Sequence, residues 1–179
     1  MAEIDELSVQ LLEQAKRFLE KADESTGEGE SAYCNAALLL GSCALEAHIN
    51  AIADELTLRA GLGILDISIL TEQEWTLEEG KFQIVGKLKM YRLEDRLNYI
   101  LSNFTSNGLL SKQPWWSHLK AGLALRNRLV HPKGAVRVDK TAVGRMLSAI
   151  VDCLDTLYKG VYRRSYPARN RNLNSALGF

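Results

Sequence analysis

The sequence predicts an all-α fold, an up-down bundle of four to five helices with a small insertion over residues 62–90. Three observations point there. Apolar residues recur at spacings of three and four through several long segments. The chain holds only 3 prolines, so little interrupts those segments. Its 179 residues, 46% hydrophobic and 25% charged, fit a single core. The expected domain is 1–164, followed by a flexible basic tail over 165–179.

The first helix is predicted over 4–24, where Ile4, Leu7, Leu11, Ala15, Phe18 and Ala22 share one face. Ser25–Glu30 holds two glycines and breaks it. A second helix is expected over 31–60, ending at Gly61 and Gly63. Leu38, Leu45, Ile49, Ile52 and Leu56 form its stripe, and Leu39, Leu40, Cys43, Ala44 and Ala47 extend the apolar character round it, so it belongs at the centre. Gly41-Ser42-Cys43-Ala44 allows close approach by a neighbour. Residues 81–90 alternate with a period of two (Phe82, Ile84, Leu88, Met90), which suits a short hairpin or irregular insertion, while Glu72–Glu79 suits a helical turn or two. Helix resumes over 91–105 on Leu93, Leu97, Ile100 and Phe104. A further helix is expected over 113–131, with Pro114 in its first turn and Pro132 stopping it near His131. The last covers about 139–163, with Asp139 as N-cap.

Composition excludes collagen-like, mucin-like and wholly disordered chains. No apolar run is expected to approach the roughly 20 residues of a membrane span. The acidic start lacks the pattern of a secretory signal, so a cytoplasmic location is expected. Cys34, Cys43 and Cys153 make neither a disulfide framework nor a zinc pair. Net charge is zero, yet residues 1–80 hold 17 acids and 4 bases, and residues 81–179 hold 5 acids and 18 bases. Either the fold mixes the two parts and their fields cancel, or a basic face stands ready for phosphate or for an acidic face of another copy.

Chemistry concentrates in Leu123-Ala-Leu-Arg-Asn-Arg-Leu-Val-His-Pro132. On a helix, Trp116, Leu119, Leu123, Leu129 and Val130 fall in one apolar arc with Arg126 near its middle. A guanidinium there needs a buried carboxylate, a phosphate-bearing cleft, or a stem long enough to reach water. Glu46 lies in an apolar sector of the central helix and is the expected partner, with Asn50 one turn on. Asn127 and His131 are four apart and share an edge where Pro132 ends the helix.

At Arg126-Asn127-Arg128-Leu129-Val130-His131, and at Ala44–Asn50 of the central helix, the chain resembles the HEPN family of small helical bundles, over about residues 31–163. The resemblance implies metal-independent cleavage of RNA to a 2′,3′-cyclic phosphate, in a toxin or defence setting. His131 would act as general base or acid, Arg126 would hold the scissile phosphate, and Asn127 would orient the phosphate or the imidazole. Arg128 and Lys133 would add RNA contacts, and neither metal nor cofactor is called for. Other members of the family are non-catalytic modules that bind nucleotide, RNA or a partner protein. A purely structural dimer is the third reading. Implied partners are RNA or nucleotide, a second copy, and an antitoxin or nucleotidyltransferase. Lys133 stands where the toxin branch often carries a tyrosine, so modification of such a tyrosine is not supported. Arg126 and His131 lie about 140° apart round a regular helix. Convergence therefore needs local unwinding or a two-fold dimer with both motifs near its axis.

Among the remaining candidates, His48 is expected on a solvated strip of the central helix, His118 in packing, and Trp115-Trp116 as core anchors rather than base-stacking platforms.

Overall fold

A computed structural model describes residues 2–179, with side chains described from Glu6 onward. Ile4 of the first predicted stripe therefore has its side chain outside the described residues. The chain is mostly helical, with a small two-stranded antiparallel sheet. The elements in order are α1 Ala2–Asp23, α2 Glu28–Leu56, α3 Ile64–Thr71, β1 Gln73–Glu78, β2 Lys81–Leu88, α4 Leu93–Phe104, α5 Trp116–Val130 and α6 Lys140–Tyr162. Short 3-10 turns lie at Leu110–Lys112 and Arg169–Arg171. Six helices and a sheet correct the expectation of a purely α bundle of four to five helices.

α2 is the central helix. It packs along α1 and meets α3, α4, α5 and α6. Leu38, Ala44, Leu45 and Ile49 are fully buried on it. By length and composition alone α2 would suffice to cross a membrane, but most of the qualifying stretch is buried inside the fold. The predicted close approach is present. A Cβ on Gly41 would overlap the Leu147 side chain of α6, so glycine is what lets the two helices touch. α2 begins at Glu28, immediately after Gly27 with its positive φ of 63°, so Gly29 and Glu30 sit in its first turn rather than in the break. It ends at Leu56, four residues short of the expected end, because the chain turns through Thr57 to Ala60 before Gly61.

The sheet lies in the 62–90 insertion. β1 occupies most of Glu72–Glu79, where helical turns were expected. Acid-rich segments suit helix starts, but here the period-two segment opposite supplies a partner strand. Glu79 and Gly80 at the turn both have positive φ, 49° and 76°, which a two-residue hairpin loop of this twist requires. The hairpin is tied down at its foot. Lys89 N donates to Glu72 O at 2.7 Å, and Ser68 Oγ bonds Gln73 O and Tyr91 Oη at 2.5 and 2.9 Å.

Residues 165–179, expected as a loose tail, instead run back along α1. Tyr166 and Ala168 are buried. Glu13 accepts from Arg171 Nη2 at 2.8 Å and from Ala176 N at 2.5 Å. Ser175 N donates to Glu20, and the Phe179 ring meets Phe18 edge-on at 5.7 Å. The tail is held because Arg171 and the backbone N–H groups of Ser175 and Ala176 find Glu13 and Glu20 of α1, while Arg169 pairs with Asp152 of α6 at 2.8 Å. His48 is buried rather than solvated because α1 and this tail cover it. Ser8 of α1 reaches its Nδ1 at 3.1 Å and Tyr166 of the tail its Nε2 at 3.3 Å, and burial pushes the imidazole down to about 4.

Candidate functional site

α5 is set by its ends. Trp115 is buried just before it, and its Nε1 donates to Thr156 Oγ1 at 3.0 Å on α6. Pro114 precedes the helix instead of opening it. At the other end Pro132 stops the helix, and His131 caps it with φ −123° and ψ 66°. The buried line runs through Leu119, Gly122 and Leu125. Its centre is Gly122, where a Cβ would overlap Met146 of α6. This rotates α5 away from the arc that its large apolar residues suggest, and Val130 is left 45% exposed. Arg126, four residues from Gly122, lies about 40° off the buried centre, while His131 lies about 180° from it.

Arg126 enters a cleft of about 320 Å³ between α2, α4, α5 and the foot of the hairpin. Its Nη2 is 3.6 Å from Glu46 Oε1, and its Nη1 donates to Asn127 Oδ1 at 3.1 Å. The expected pair is therefore present, but the expected burial is not, since the two side chains are 29% and 46% exposed.

The buried guanidinium in this cleft is Arg96, which is not among the site residues expected from the sequence. Arg96 is 5% exposed. Its Nη1 donates to Asn50 Oδ1 at 2.7 Å and Glu72 Oε2 at 2.9 Å, and its Nη2 donates to Leu70 O at 3.0 Å. Burial pushes its pKa down, against the pull of Glu72, Asp54 and Glu46. Asn50 therefore supports Arg96, and through Glu72 the pair locks the hairpin to the bundle. The signal was present in the sequence, because Arg96 stands among Leu93, Leu97 and Ile100 at helical spacing.

His131 belongs to a different surface. It is exposed and lines an open groove of about 580 Å³ with Asn127, Arg128, Lys133 and residues 134–136. Asn127 borders both recesses. Within one chain, then, the structure brings together His131, Arg128, Lys133 and Asn127, and separately Arg126, Glu46 and Asn127. It does not place Arg126 beside His131.

The chain from Arg96 to Val138 contains no acidic residue. Lys112, Lys120, Arg128, Lys133 and Arg137 from this run, with Arg145 on α6, are all exposed, and none enters an ion pair among the described residues. They occupy the 3-10 turn before α5, the outer side of α5, the loop after it and the first half of α6. His118, expected in packing, is exposed and borders a third groove with Arg145 and Ser148. Among the described residues no three His, Cys, Asp or Glu side chains gather as a metal set.

Fold and site together define a mostly helical protein with a basic side along α5 and the start of α6 whose exposed cations form no ion pair among the described residues. The chain matches no family model, no curated protein and no solved structure.

Proposed function

We propose that this protein is a HEPN-like module that binds RNA on the outer side of α5, the loop 131–138 and the first half of α6. The observation that supports this reading is the acid-free run from Arg96 to Val138, whose exposed cations have no carboxylate partner among the described residues. Unpaired surface cations gain most from a polyanion, whose condensed counter-ions are released on contact. The open groove beside Arg128, His131 and Lys133 has room for a phosphate and its flanking ribose. Fluorescence anisotropy of a labelled single-stranded RNA tests this. Arg128→Glu with Lys133→Glu should weaken binding at least tenfold at low salt. Unchanged affinity in that variant, or no binding by the wild type, contradicts the reading.

Cleavage is the second reading, favoured by the exposure of His131 in that same groove. The imidazole would take the proton of a ribose 2′-hydroxyl, whose oxygen attacks the adjacent phosphorus. The 5′-oxygen leaves and takes a proton, giving a 2′,3′-cyclic phosphate and a 5′-hydroxyl. Arg126 would join only from a second copy, because Glu46 and the geometry of α5 hold it in its own cleft. A toxin or defence role fits such an activity. RNA cleavage that persists in EDTA and is lost in His131→Ala supports this second reading, and equal residual cleavage in both proteins rules it out.

A further inference from the structure

The third groove, of about 680 Å³, runs along α6 opposite the start of α5. Arg145, Ser148, Asp152 and Lys159 follow one another down that side of α6, and the antiparallel α5 faces them. Gly122 against Met146 and Trp115 Nε1 on Thr156 Oγ1 at 3.0 Å fix the alignment, so His118 stands between those two levels. The two ends of the groove differ in charge. At the far end Lys159 pairs with Asp155 at 2.6 Å, and Arg169 pairs with Asp152 and Asp155 at 2.8 and 3.6 Å. At the near end the side chains of Arg145, Ser148 and His118 have no hydrogen-bond or ionic partner among the described residues. The far end also offers unused acceptors. Gln113 Nε2 donates to Asn107 O at 2.8 Å and Asn107 Nδ2 to Thr156 O at 3.3 Å, which leaves both amide oxygens unbonded among the described residues. Asp152 keeps its Oδ2 free in the same way.

We propose that this groove binds a phosphorylated sugar, with the phosphate on Arg145 and Ser148 beside His118, and the sugar hydroxyls on Asp152, Gln113 and Asn107. A phosphate gains most from a guanidinium that has no carboxylate to leave. Sugar hydroxyls donate to amide and carboxylate oxygens of the kind left open at the far end. Arg145 and Asp152 are seven residues apart on one side of α6, so about 10 Å apart along its axis. A pentose or hexose phosphate bridges that rise with a hydrogen bond at each end. A nucleotide is the poorer match, because a base needs a ring to stack on, and the Trp115 ring in this groove is only 5% exposed. The proposal does not rest on RNA binding, and its test contains no RNA, so either reading can fail alone.

Isothermal titration calorimetry with ribose 5-phosphate and glucose 6-phosphate tests it. At least one of them should bind about tenfold more tightly than inorganic phosphate, ribose or glucose, because only the joined ligand engages both ends. Arg145→Gln should weaken that binding about tenfold with an unchanged far-UV spectrum. Three results on the wild type each overturn the proposal: neither sugar phosphate binds at millimolar concentration, inorganic phosphate binds as well as both, or GMP binds more tightly than both. That ligand series needs no variant, so it gives an answer even if Arg145→Gln fails to fold. A folded Arg145→Gln protein that binds the sugar phosphate as tightly as the wild type overturns the proposal equally.

Discussion

Arg96 and Arg126 share a cleft but not an energy scale. Arg96 is buried against Glu72, so removing the carboxylate strands the guanidinium in a buried site. Glu72→Gln should cost about 3–5 kcal/mol in urea unfolding. Glu46→Gln should cost under about 1 kcal/mol, because its pair with Arg126 is half in water. Equal costs for the two variants would contradict this assignment. The rule that an arginine on a core-facing stripe needs a partner was legible in the sequence. It marks Arg96 as well as Arg126, and that Arg126 would stay half-exposed was not legible, because the rotation of α5 is decided by Gly122 against Met146, a contact between distant segments.

His48 gives a second residue-scale prediction. Its pKa is lowered to about 4 by burial, below the ordinary value of 6.5. The unfolded chain therefore binds the proton more readily, and stability falls as pH drops from about 6.5 towards 4, by about 1.4 kcal/mol per unit once the unfolded imidazole is protonated. Urea midpoints at pH 7 and pH 5 measure the effect, and His48→Asn should flatten that difference. A wild type equally stable at both values would count against a buried neutral imidazole. Nothing in the spacing of α2 told that its His48 side would be covered, because the cover comes from α1 and from Tyr166, 118 residues further on.

Elements were more legible than their contacts. Periodicity located α1, α2, α4, α5 and α6, and Asp139 caps α6 as expected, accepting from Ala142 N at 3.0 Å. β1 was hidden, because its acids resemble a helix start and a strand exists only with its partner. The close approach of α5 to α6 gives a prediction at this scale. Gly122→Ala should cost about 1–3 kcal/mol through overpacking against Met146. Met146→Ala should relieve part of that cost, giving a non-additive double-mutant cycle in chemical denaturation. Simple additivity would mean that the two helices stand further apart.

For the whole molecule, the charge split of the sequence resolves into mixing and a remainder. Asp23–Lys140, Glu46–Arg126, Glu72–Arg96, Glu74–Lys87 and Glu13–Arg171 each join the acidic half to the basic half. Glu13 also holds buried Lys16 at 3.0 Å. Burial would raise the Glu13 carboxyl, but hydrogen bonds from Arg171, Ala176 N and Lys16 keep it below its ordinary value. Glu13→Ala should therefore free the tail, and trypsin should cut after Arg169 and Arg171 many times faster than in the wild type. Unchanged cutting would show that the tail is held by other contacts.

Much of what the mixing leaves over lies on the basic side of α5 and α6, and RNA binding there is the central claim. Its most direct test is ultraviolet cross-linking of the wild-type protein to a single-stranded RNA of mixed sequence, with the attachment sites mapped by mass spectrometry. The account predicts cross-links concentrated between Lys112 and Arg145, with the peptide that carries His131 among them. Cross-links confined to α1 or the hairpin, or none at concentrations that saturate binding, would contradict it.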